Sequence, residues 1–143
     1  MKLLITFSLI FGLIINAHSQ QFNSKTVAIN NYLAAAKIES STRFLVKTLI
    51  NRAIIGKKNL PQNIEDRIQS KLEYKAYLDK VAKIMNDNYS EAEIDQLTKL
   101  LKEGNNKEVE YRTKRVYQQI YQIGLEFGRE SKIIIDKTIA FYN

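Results

Sequence analysis

Residues that break a helix are scarce in this chain, and that narrows what it can fold into more than any other feature. It has one proline, Pro61, and five glycines, of which only Gly12 precedes residue 56. Long stretches therefore lack any residue that interrupts a helix. Within them apolar residues recur every three or four positions, the spacing of one helix face, and strand-like alternation is scarce. The expected fold is all-α: an antiparallel helical bundle of about five helices with short connections.

The individual helices follow from this spacing. A first segment, 24 to about 37, carries Val27, Leu33 and Ala34, with Ser24 as its N-cap. Residues 38–42 interrupt it. A second helix follows, with Phe44, Leu45, Leu49, Ile50, Ala53 and Ile54 as its apolar stripe and Gly56 just past its end. Pro61 fits the first position of a third helix, where a missing N–H costs nothing. That helix is expected to run from 62 to about 88, with Ile64, Ile68, Leu72, Leu78, Val81 and Met85 near one face. Ser90 and Glu93 form a capping box for a short helix carrying Ile94, Leu97, Leu100 and Leu101, which Gly104 stops. The last helical region begins near Lys107 and carries Val109, Val116, Ile120, Ile123 and Phe127. Residues 130–141 either continue it or form a separate terminal helix.

The first residues point to export. Lys2 supplies a positive start, and residues 3–15 are apolar but for Thr6, Ser8 and Gly12. Ala17 and Ser19 then stand where a signal peptidase reads small side chains. The run is short of the roughly 20 apolar residues of a membrane anchor. Residues 1–19 are thus expected to be a cleaved signal peptide, and 20–143 a single helical domain in the periplasm or cell exterior. No cysteine follows the apolar run, so the chain is not a lipoprotein.

Composition then excludes chemistry. The only histidine is His18, cysteine is absent, and excision of residues 1–19 leaves a domain with neither. Cysteine and serine–histidine nucleophiles, Cys/His zinc sites and the Glu-x-x-His di-iron pattern are all unavailable. No cofactor and no metal is expected. Net charge is +7, and +6 once Lys2 is removed. Such a balance describes either a lysine-rich soluble surface or weak attraction to an anionic membrane. Nucleic acid is not an expected partner for an exported chain.

Four elements occur in an order that resembles a family of uncharacterised periplasmic helical domains, domain of unknown function 2059. Leu60-Pro61 stands before a long helix, Tyr89-Ser90-Glu91-Ala92-Glu93-Ile94 matches a Tyr-[Ser/Thr]-x-x-Glu element, and Lys107 stands for the terminal lysine of a Phe-Tyr-x-Ser-Pro-x-Gly-Lys element. Gly124-Leu125-Glu126-Phe127-Gly128 resembles a closing Gly-x-x-[Trp/Phe]-Gly. The resemblance spans residues 31–131. Leu100-Leu101 replace a Phe-Tyr pair, and Gly104-Asn105-Asn106 replace a Ser-Pro-x-Gly turn. It implies a helical fold and an envelope location, and no activity or catalytic residue.

Several constellations are candidates for a site. Glu126 with Glu130, and Glu91 with Asp95, sit four apart, as solvated surface charge or as half of a hard-cation site. Arg112, Lys114 and Arg115, with Lys107 before them, gather beside Tyr111 and Tyr117, either to bind phosphate or a polyanion or as a hydrated flank whose tyrosines cover the core edge. Tyr74, Tyr77, Tyr117 and Tyr121 come from two helices expected to pack together, and either line an apolar cleft or sit at the core edge with wet hydroxyls. Gly124 and Gly128 each weaken a helix by about 0.5–1 kcal/mol relative to alanine, so close packing inside the domain, or else a self-association seam, is expected to offset them. The leading expectation is a non-catalytic module that binds a partner protein or envelope component. An enzyme using carboxylates and tyrosine on an envelope polymer is the alternative, and a convergent set such as Glu73, Tyr77, Glu126 and Arg129 in one closed pocket would favour it.

Overall fold

The computed structural model describes residues 24–142, and the expected signal peptide lies outside them. The described residues are all-α, in six helices. Helix α1 covers 24–35, α2 Ile38–Ile54, α3 Ile64–Gln69, α4 Tyr74–Asn88, α5 Glu91–Lys102 and α6 Asn106–Ala140. The last is one uninterrupted helix of 35 residues, so the terminal isoleucine-rich segment continues it. At 1.5 Å per residue α6 is about 50 Å long.

That length exceeds what one small core can cover, and two cores form along it. Toward its start, Val109 and Val116 pack with Tyr32 of α1, Met85 of α4, and Ile94 and Leu97 of α5. Toward its end, Phe127, Ile135 and Ile139 pack with Val46 and Ile50 of α2, Ile64 and Ile68 of α3, and Tyr74 of α4. Helices α2, α3, α4 and α5 all contact α6, and α4 contributes to both cores.

The long third helix expected from the sequence is broken into α3 and α4. Leu72 and Tyr74 explain the break. Both are buried in the second core, yet two positions along a continuous helix point about 200° apart. Interrupting the helix between Gln69 and Tyr74 lets both side chains enter the same core. Pro61 is likewise not the first residue of a helix; its carbonyl accepts the Ile64 N–H at 3.0 Å, in the turn before α3.

The first two helices also differ from expectation. Residues 38–42 belong to α2, and the separation from α1 is made by Lys37, which adopts the left-handed conformation at φ 54°. Ser24 lies within α1, and its hydroxyl donates to Glu91 Oε2 at 2.7 Å. The stripe of α2 is rotated from the one expected. Val46 and Ile50 are its buried positions, while Phe44, Leu45 and Leu49 are 70%, 63% and 40% exposed.

Two boundaries form as read. Ser90 Oγ accepts the Glu93 N–H at 3.3 Å, and the Ser90 N–H donates to Glu93 Oε2 at 2.7 Å, closing the capping box at the start of α5. At the other end Gly104 is left-handed at φ 77°. Its N–H donates to Leu101 O and that of Asn105 to Leu100 O, the paired bonds of a Schellman turn.

Lys37 occupies by necessity a backbone region that costs a residue with a Cβ roughly 1–2 kcal/mol. Lys37→Gly is expected to raise stability by about 0.5–1 kcal/mol in urea melts, part of the gain being offset by glycine's greater freedom when unfolded.

The capping box makes a second prediction. The Glu93 carboxyl is held below its ordinary value of 4.5, first by the Ser90 N–H and then by the Ser90 hydroxyl, against an opposing desolvation, with lesser help from Arg115 and Lys25. A carboxyl lowered on folding stabilises fully above its unfolded value and loses that contribution as pH falls through the folded one. Glu93→Gln is therefore expected to melt below wild type at neutral pH, with the two melting curves converging in acid. Ser90→Ala removes the reciprocal bond and is expected to cost about 1 kcal/mol.

Candidate functional site

Helix α6 gives one face to the cores and divides the rest among contacts that tie the domain together and a face that touches nothing. Arg115 is the main tie. Its guanidinium lies 4.0 Å above the buried Tyr89 ring, donates to the Asn88 carbonyl, and stands 3.6 Å from Glu93. The Tyr89 hydroxyl in turn donates to the Arg112 carbonyl at 3.1 Å. Arg112 bonds Glu108 at 2.6 Å on its own helix and Gln96 of α5 at 3.1 Å. Two of the three candidate cations, Arg112 and Arg115, are thus engaged within the domain, fastening α6 to the corner between α4 and α5.

Lys114 is placed differently. With Lys107, Glu110, Tyr111 and Tyr117 it lines a shallow hollow of about 410 Å³ on the outer side of α6. Tyr111, Tyr117 and Tyr121 are 75%, 58% and 49% exposed. The Tyr117 and Tyr121 rings stack, with centroids 6.1 Å apart and planes at 12°. These positions follow one another at helical spacing, so the outer face of α6 presents aromatic rings with lysines beside them.

The four candidate tyrosines keep separate company. Tyr74 and Tyr77 pack on Phe127, at 5.5 and 4.9 Å between ring centroids. Tyr74 is buried in the second core beneath the Arg43 guanidinium, and its burial raises its hydroxyl pKa despite that neighbouring cation. Tyr117 and Tyr121 form the exposed pair. The four do not line one cleft: one pair packs on Phe127 and the other is exposed on α6.

The carboxylates disperse similarly. Glu126 faces Lys80 of α4 at 3.9 Å, whereas Arg129 lines a groove against α2. Glu73 is the residue before α4, and Tyr77 lies on Phe127. Glu73, Tyr77, Glu126 and Arg129 do not meet in one closed pocket. Glu91 accepts from Ser24, and no group of three acidic, histidine or cysteine side chains gathers for a metal among the described residues. No helix among them is long and apolar enough to cross a membrane.

Gly124 and Gly128 overturn the packing expectation. A Cβ placed on either would meet no atom within 4 Å. Both line a groove of about 610 Å³ between α2 and α6, whose walls include Leu49, Ala53 and Leu125. Sequence reasoning missed this groove, because it depends on the outward turn of Leu45 and Leu49 on α2.

Compared with protein-family models, curated proteins and solved structures, the chain matches none. Its functional reading therefore rests on its own surface.

The division of α6 into tying and open faces can be measured. Arg115→Ala removes a cation–ring contact and a charge-assisted bond at a half-exposed site, and is expected to cost about 1–2 kcal/mol. Lys114→Ala is expected to stay within about 0.5 kcal/mol of wild type in the same chemical melts. A third variant, Ser131→Ala, removes a buried hydroxyl that has no hydrogen-bond partner and is expected to be neutral or stabilising.

Proposed function

We propose that this chain is an exported, non-catalytic binding module, an antiparallel bundle that uses the outer face of α6 to hold a partner protein or envelope component. The observation that carries this reading is the run of exposed rings at Tyr111, Tyr117 and Tyr121 with Lys107 and Lys114 beside them. Aromatic side chains are the usual anchors of binding surfaces, since each covers a large area with few rotatable bonds. Lysines next to them favour an anionic or acidic partner. The hollow is shallow and holds Glu110 as its one carboxylate, which suits adhesion to a surface more than a reaction on an enclosed substrate.

An envelope location is part of this reading, supported by the sequence. The amino-terminal segment 1–19 supports a cleaved signal, and the Leu60-Pro61, Tyr89–Glu93 and Gly124–Gly128 elements support kinship with periplasmic helical domains.

Site-specific photocrosslinking in intact cells tests the reading. A benzoylphenylalanine at Tyr117 is expected to capture one discrete species, and one at Lys75, on an exposed face of α4, to capture none. Equal capture at both positions, or at neither in a folded chain, counts against the module. Terminal sequencing of the same material is expected to begin at Gln20.

A further inference from the structure

A second surface on α6 lies apart from the tyrosines, and its character is different. The groove between α2 and α6 has Leu49, Ala53 and Leu125 for apolar walls, and at Gly124 and Gly128 its floor is bare helix backbone. Leu45, one turn before Leu49 on α2, extends the apolar strip outward. Nothing inside the domain uses the space the two glycines leave. Glycine at positions i and i+4 of a helix lets a second helix axis approach more closely than larger side chains permit.

The charges at the rim say which helix. Arg52 and Arg129 stand there without an ion-pair partner among the described residues, and Lys132 is bonded to Asp136. The rim therefore carries a net charge of +2. A second copy of this chain would set the same positive rim against itself, which disfavours self-association across a two-fold axis. An apolar trough between two helices, with unpaired arginines on its edge, is instead complementary to an amphipathic helix whose flanks are acidic.

We infer that the α2–α6 groove is a docking site for an acidic amphipathic helix of a partner protein, with small or apolar residues of that helix seated over Gly124 and Gly128. The geometry requires anchors at i, i+3 or i+4, and i+7, and Glu or Asp beside them to reach Arg52 and Arg129. This site stands independently of the Tyr117 face.

The test uses the full chain and two synthetic helical peptides of about 21 residues. Both carry alanine and leucine at the anchor positions; one has glutamate on its flanks and the other lysine. By fluorescence anisotropy the glutamate peptide is expected to bind at least about tenfold more tightly than the lysine peptide, with the difference shrinking as salt rises. Arg52→Glu with Arg129→Glu, exposed positions whose change leaves the cores intact, is expected to reverse that preference. Gly128→Leu fills the groove and is expected to weaken the glutamate peptide at least about tenfold; its thermal melt establishes that it is folded. The proposal is overturned if wild type binds neither peptide, if the charge-reversed variant keeps the original preference, or if filling the groove leaves binding unchanged. It is equally overturned if oleate, an anionic amphiphile, saturates the groove while both peptides are ignored, or if sedimentation shows a dimer that Gly128→Leu dissolves.

Discussion

The structure depends on the continuity of α6. One 35-residue helix supplies Val109 and Val116 to one core and Phe127, Ile135 and Ile139 to another. This works only if the buried face stays on one side over its whole length. From Val109 through Val116, Ile120, Ile123, Phe127, Ser131 and Ile135 to Thr138, the inward positions advance by about 3.6 residues per turn, so the face drifts little in a straight helix. A stricter seven-residue repeat would have wound the apolar stripe around the axis and turned one core toward water. The shorter helices are then fitted to α6, and where their own periodicity conflicts with it they yield. The break before Tyr74 is such a concession: helix is given up over a few residues so that Leu72 and Tyr74 both reach the core that Phe127 anchors.

The corner between α4 and α5 shows how local and long-range interactions support each other. The capping box at Ser90 and Glu93 is a purely local device and fixes where α5 begins. Arg115, from α6, reads the same corner from outside, touching Tyr89, Asn88 and Glu93 together. Ser24 and Lys25 of α1 reach it from another side, bonding Glu91 and the Asn86 carbonyl. A helix start specified by two residues thereby becomes the point where four helices are registered. Arg112 and Arg115 of the basic cluster on α6 acquire a structural meaning here.

What the sequence revealed and what it hid separate along the same line. Features whose physics is complete within a few residues were legible: the Ser90 cap, the left-handed Gly104, the buried Ile94 and Leu97, and the inward run of α6. Features decided between elements were not. On α2, Leu45 and Leu49 form as good a stripe as Val46 and Ile50, and only the position of α6 selects the second. Lys37 gives no local sign of a positive φ, since the turn there is imposed by the need to join α1 in one core to α2 in the other. The tyrosines split for a similar reason. Their spacing marks half-buried positions; Tyr74 and Tyr77 meet Phe127 because α4 packs against α6, whereas Tyr117 and Tyr121 stand on an exposed face of α6 itself.

The two glycines of α6 follow from the same constraint. A helix that holds two cores gains nothing from being weakened near their junction, and alanine would fit at Gly124 or Gly128 without touching a neighbour. Intramolecular packing therefore cannot be their reason. Their remaining consequence is geometric: they lower the floor of the α2–α6 groove at the place where Leu49 and Ala53 form its wall and Arg52 and Arg129 its rim. Stability is lost on one side of α6 and an open, positively edged trough results, while the opposite side keeps every apolar position it needs. That asymmetry around a single helix separates the face that holds the two cores from the one that borders the groove.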